Sequence, residues 1–124
     1  MARPLILCID DQPTVLATRK LVLETAKFRV VTAGDVREAL QAFMRHEPEA
    51  VVLDYSLPAV NGAALAALMK RLKPQVPIMM FSSYVTLPEG ALDHVDAFMP
   101  KGEGPEAMLK TLKLLIKQKQ LKCG

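Results

Sequence analysis

No apolar run in this chain approaches the roughly 20 residues that a membrane-spanning helix needs, so no membrane insertion is expected. The opening residues, MARPLILCIDD, hold one arginine and a short apolar run that ends in two acids. They lack the charged start, long apolar stretch and small-residue cleavage site of a secretory leader, and a cytoplasmic location is expected. Cysteine is scarce, at two residues. Cys8 falls inside an expected buried strand and Cys123 in the tail, so no structural disulfide is expected. Acidic residues are missing from 110–124, which carry five of the 16 basic residues; the remaining 11 face 13 acidic ones. The net charge of +3 therefore belongs to one terminal helix, and no direct nucleic-acid binding is expected. What the chain does have is apolar residues, 51% of its 124. That is enough for one domain with a real core, spanning 1–124.

These apolar residues come in short runs without alternation: Leu5–Ile9, Ala50–Leu53 and Ile78–Phe81. Such runs suit strands covered on both faces, as in a parallel sheet. FRVVT (28–32) and Ala97–Met99 complete five strands. Between them lie helical patterns. One starts at Pro13, which suits the first turn of a helix, and runs to about Thr25. A second follows Asp35, where Asp35 and Glu38 resemble a capping box. A third repeats Leu65, Leu68, Met69 and Leu72 on one apolar face. The last spans about Pro105 to Leu121. Only residues 83–96 separate the fourth and fifth strands, with Pro88 and Gly90 among them. That space is tight for a crossover, and a short helix or an irregular segment is expected. Alternation of strand and helix predicts an α/β fold with helices on both faces of a parallel sheet.

Each strand ends in chemistry. Asp10 and Asp11 follow the first strand, Asp54 the third, Ser82 the fourth and Lys101 the fifth. In a parallel sheet these ends share one edge, where open α/β sheets bind ligands. Two carboxylates about 4 Å apart repel by about 4 kcal/mol at an effective dielectric near 20. A cluster of three therefore needs a cation, or one member must hold a proton. An all-oxygen site without histidine or cysteine suits Mg²⁺ rather than zinc. With a cation and a lysine beside it, an aspartate can serve as a nucleophile toward phosphorus.

On Asp10-Asp11, the block Asp54-Tyr55-Ser56-Leu57-Pro58 with Asn61-Gly62, Ser82 with Ser83, and Lys101, the chain resembles the receiver domain of two-component response regulators, and a stand-alone receiver is expected. The resemblance runs from Leu5 to about Leu121. It implies a flavodoxin-like, doubly wound, five-stranded parallel sheet of order 2-1-3-4-5, with the fourth helix shortened in this chain. It implies that Asp54 is the phosphoacceptor, taking its phosphoryl group from a sensor histidine kinase or phosphotransfer protein. Asp11, Asp54 and the Ser56 carbonyl would bind Mg²⁺, with Asp10 acting mostly through water. Lys101 would pair with the phosphoryl group, and Ser82 and Phe98 would form the switch pair. The chain would be a signalling protein and not an enzyme, with at most slow self-dephosphorylation.

Three departures bear on readout. Gly102 follows the lysine where the family usually has proline. Phe98 lacks a hydroxyl. The fourth helix is curtailed. The alternative is a receiver-like docking module that works without phosphorylation, but such copies usually lose an acid or the lysine, and this chain keeps them. A phosphatase acting through Asp54 would carry a second acid just after it, where Tyr55 and Ser56 stand. In the last helix Met108, Leu109, Leu112, Leu115 and Ile116 share one side. Leu114 and Leu121 lie nearly opposite, among Lys110, Lys113 and Lys117. That side is a candidate contact surface for a downstream protein or for self-association.

Overall fold

A computed structural model of the chain describes residues 3–84 and 86–123. Met1, Ala2, Val85 and Gly124 lie outside the described residues, as do the side chains of Lys122 and Cys123. In chain order the elements are β1 (Leu5–Ile9), α1 (Pro13–Thr25), β2 (Arg29–Ala33), α2 (Val36–Arg45), β3 (Ala50–Asp54), α3 (Gly62–Leu72), β4 (Ile78–Ser82), β5 (Ala97–Pro100) and α4 (Pro105–Cys123). The five strands form one sheet in the order β2-β1-β3-β4-β5, parallel at every pairing. This is the flavodoxin-like arrangement.

The unalternated runs have the expected cause: every residue of β1, β3 and β4 is buried. Successive side chains point to opposite faces, so each strand feeds two cores. Ile6, Cys8, Val52, Met79 and Phe81 meet Leu23 of α1 and Met108, Leu112, Leu115 and Ile116 of α4. Leu7, Ile9, Val51, Leu53, Ile78 and Met80 meet Ala39 and Phe43 of α2 and Leu65, Ala66 and Met69 of α3. Cys8 is a free thiol inside the first core; burial pushes its pKa up to about 12.

The helix starts follow local chemistry. Asp35 caps α2, accepting from Glu38 N at 2.8 Å. Glu38 reaches one residue further back than a capping box would, accepting from Gly34 N at 2.8 Å. Asn61 caps α3, its Oδ1 accepting from Ala64 N at 3.0 Å. Phe28 is not the start of β2. It is a buried anchor in the turn, donating its N–H to the Leu23 carbonyl, and Lys27 reverses the chain at φ 75°.

One expectation needs correction, and one pair of options is decided. The buried stripe of α3 is Gly62, Leu65, Ala66 and Met69. Leu68 and Leu72 are exposed, because the small residues let the helix lie close to the sheet and the inward face rotates toward them. The connection from β4 to β5 holds no helix among its described residues. Successive turns replace it, with Ala91 N on Pro88 O, Asp93 N on Gly90 O and Val95 N on Leu92 O. Gly90 at φ 83° and Pro88 set those turns.

Candidate functional site

The chain leaves β1 toward β2 on one side and returns as β3 on the other, so a crevice opens at their carboxyl ends. Ile9 pairs with Leu53, which sets Asp10 and Asp54 side by side at the next position. Across the sheet, Ser82 pairs with Pro100, and Lys101 N donates to Ser82 O at 3.0 Å. That bond holds Lys101 beside the crevice. Asp10, Asp54 and Ser82 are buried, while Asp11 is exposed.

The acids and the lysine meet as expected. One carboxylate oxygen from each of Asp10, Asp11 and Asp54 lies within 4.8 Å of the others. Lys101 Nζ stands 3.1 Å from Asp54 Oδ2 and 3.3 Å from Asp10 Oδ2. Burial pushes the Asp54 carboxyl above the usual range; the charge of Asp10 adds to the rise, and Lys101 opposes it. Asp54 Oδ1 is buried with no hydrogen-bond partner among the described residues. A buried carboxylate with one unpartnered oxygen, clustered with two further acids, fits a hard, oxygen-seeking cation.

The loop after Asp54 is held from both sides. Tyr55 N donates to Phe81 O at 2.8 Å, and Tyr55 O accepts from Gly62 N at 2.6 Å. Ser56 follows, half-buried. Ser82 Oγ accepts from Tyr84 N at 3.0 Å, which leaves its own proton free to donate. Phe98 is half-buried. It borders a cavity of about 420 Å³ shared with Ser82, Tyr84 and Lys101, and another of about 260 Å³ shared with Leu87, Pro88 and Leu92.

One residue of this site escaped the sequence reading. Arg19 of α1 is buried. Its Nη1 lies 3.3 Å from Asp10 Oδ2, and its guanidinium sits 4.3 Å over the Phe81 ring. The signal was available: Arg19 lies three residues after Leu16 and four before Leu23, on the inward face of α1.

The sequence matches the family described as response regulator receiver domain over residues 6–113. This chain is a member of that receiver family. Among curated relatives, it is 32% identical over 127 residues to the alkaline phosphatase synthesis transcriptional regulatory protein SphR of Synechococcus elongatus, covering 93% of this chain and 49% of SphR. It is 27% identical over 123 residues to PhoP of Bacillus subtilis, covering 94% and 50%. The transcriptional regulatory protein PrrA of Mycobacterium tuberculosis is 32% identical over 80 residues, covering 64% and 34%. The receiver thus spans between a third and a half of the length of these relatives. A CheY-like receiver domain from Methanospirillum hungatei superposes with a TM-score of 0.91 at 23% identity, covering 97% of this chain and 98% of the other. TrrA of Thermotoga maritima, solved in complex with Mg(2+)-BeF, gives 0.85 at 23% identity, covering 90% and 98%. At those identities the likeness speaks for the receiver fold alone. Among the described residues, no helix is long and apolar enough to cross a membrane.

Proposed function

We propose that this receiver is a phosphoacceptor switch in which Asp54 takes a phosphoryl group from a phosphohistidine of a sensor kinase or phosphotransfer protein. The observation that carries this reading is Asp54 itself: a buried carboxylate with one oxygen on Lys101 and the other without a partner, beside two more acids. Asp54, Asp11 and the Ser56 carbonyl would hold Mg²⁺, with Asp10 acting through water. Bound there, Mg²⁺ supplies positive charge to the acids and to the phosphoryl oxygens. An Asp54 oxygen forms the new bond to phosphorus as the bond to the histidine nitrogen breaks, and the leaving imidazole takes a proton from solvent. Lys101 neutralises the transferred group, and the Ser82 hydroxyl donates to one of its oxygens.

The phosphoryl group draws Ser82 inward, and Phe98 turns into the space this frees. Readout then passes to a binding surface. We place it on α4, where Leu114 is 51% and Leu121 72% exposed among Lys110, Lys113 and Lys117. An acidic protein surface is the complement of that field, and a second copy of the chain is the other outcome to test. The chain acts as one receiver unit inside the cell, with Asp54 turned over at most slowly by its own hydrolysis.

Incubation with acetyl phosphate and Mg²⁺, followed by intact-mass measurement, tests the reading. One phosphoryl adduct is expected in the wild type and none in Asp54→Ala. Sustained release of phosphate over many turnovers would instead favour a phosphatase, and no adduct at all would favour a docking module.

A further inference from the structure

We propose that Arg19 is the standing counter-ion of Asp10, and that by holding this charge it lets Lys101 leave Asp10 for the phosphoryl group on Asp54. The inference rests on Asp54 being the phosphoacceptor. It starts from a shared atom. Asp10 Oδ2 has two cations at the same distance, Arg19 Nη1 at 3.3 Å and Lys101 Nζ at 3.3 Å. Among the described residues Asp10 Oδ1 accepts only the N–H of Gln12, at 3.0 Å. Lys101 meanwhile serves a second carboxylate, Asp54.

The two cations differ in freedom. Arg19 is clamped: its side chain is 9% exposed, its guanidinium lies over Phe81, and the helical neighbours Leu16 and Leu23 pack into the core on the same face. Lys101 is 22% exposed. It borders a cavity of about 420 Å³ beside Ser82 and Phe98 that Arg19 does not line, on a flexible stem with a rotatable ammonium. One cation is fixed on Asp10 and the other can move.

That difference matters because Asp10 is wholly buried. Taking Lys101 away from a buried carboxylate with no second cation is strongly unfavourable. Charge bookkeeping agrees. After transfer, Asp10, Asp11 and a phosphoryl group of roughly two charges carry about four negative charges. Lys101 and a divalent cation supply three positive ones, and Arg19 supplies the fourth. Before transfer, the same arginine competes with an incoming cation for Asp10. Arg19 therefore favours the phosphorylated state and opposes metal in the unphosphorylated one.

This gives two effects of opposite sign, which damage to the fold would not produce. Calorimetric titration with Mg²⁺ alone, and with beryllofluoride in saturating Mg²⁺, reads both. Arg19→Met is expected to bind Mg²⁺ several-fold more tightly and beryllofluoride about tenfold more weakly, or about 1.4 kcal/mol. Arg19→Lys should restore most of both. Loss of both affinities in Arg19→Met, no change in either, or an Arg19→Lys variant as impaired as Arg19→Met would overturn the proposal. An Asp10→Asn background, in which position 10 carries no carboxylate for Arg19 to balance, keeps the test open should Arg19→Met fail to fold alone. There the methionine should leave beryllofluoride binding unchanged, and a tenfold loss would refute the role. A wild type that takes up neither beryllofluoride nor a phosphoryl group would refute the phosphoacceptor reading itself, and this inference with it.

Discussion

Gly62 presses on the backbone of Asp54: a Cβ at position 62 would stand 2.5 Å from the Asp54 carbonyl oxygen and 2.8 Å from Tyr55 Cα. Both are main-chain atoms and neither can swing aside. In an exposed helix, glycine to alanine would gain up to about 1 kcal/mol. Here overpacking costs about 1–3 kcal/mol. Gly62→Ala is expected to lower stability in urea unfolding and to slow phosphoryl uptake, because the peptide that yields carries Asp54. A variant as stable and as reactive as the wild type would show that α3 can lift off freely.

The raised pKa of Asp54 sets a pH dependence. The unfolded value is about 3.9, and burial holds the folded value above it. A raised carboxylate contributes stability that is present in full below the unfolded value and is lost as pH rises through the folded value. In metal-free buffer Asp54→Asn should therefore raise the melting temperature at pH 7 and change it little below pH 4. Added Mg²⁺ should stabilise the wild type more than the variant. An equal gap at both pH values would mean that Asp54 does not titrate as placed.

Asp10 and Asp11 should part ways when replaced. Asp11 is exposed, so Asp11→Ala should change stability by no more than about 0.5 kcal/mol while it strips much of the Mg²⁺ affinity. Asp10→Ala leaves the Arg19 guanidinium buried without its carboxylate, a loss of about 3–5 kcal/mol. It should retain more Mg²⁺ affinity than Asp11→Ala. Calorimetric Mg²⁺ titration beside urea unfolding separates the two. Equal loss of metal in two well-folded variants would contradict the direct and water-mediated roles.

The two sides of α4 can be checked against each other. Leu112 is fully buried and Leu114 is 51% exposed. Leu112→Ala should cost about 2–5 kcal/mol. Leu114→Glu should leave stability and Asp54 phosphorylation nearly unchanged while it weakens partner binding or self-association. A Leu114→Glu variant destabilised as much as Leu112→Ala would mean that the leucine is covered.

Much of this arrangement was legible in the order of residues. Runs such as LILCI and AVVL, alternating with helical patterns, suit strands covered on both faces of a parallel sheet. The polar residue that ends each run must then surface at one edge, which is why Asp10, Asp54, Ser82 and Lys101 could be grouped. Arg19 was passed over although its spacing from Leu16 and Leu23 sets it on the inward face of α1, because a lone arginine in an amphipathic helix is ordinarily solvated; Asp10 and Phe81, brought beside it by the fold, make it a buried cation. The inward face of α3 was misread for a related reason. Leucine spacing marks a stripe, but Gly62 and Ala66 decide how close the helix comes, and small residues carry little hydropathic signal. The turns of 86–95 were expected only as one of two options, since Pro88 and Gly90 weaken a helix without forbidding one.

The turns that stand between β4 and β5 also bear on how the molecule opens. β5 has four residues, pairs on one side only, and is reached through a segment in which, among the described residues, Ala91 is buried and Leu87 and Val95 pack partly against the core. Few apolar contacts and isolated turn bonds mark the low end of a protein's range of local stabilities. Amides of β5 should therefore exchange with deuterium well before those of β1 and β3, through partial opening that leaves the other strands paired. Lys101 sits at the end of that strand. The lysine that bridges Asp10 and Asp54 thus rides on an edge strand that should open before the central ones, and phosphoryl occupancy should appear as slowed exchange along β5.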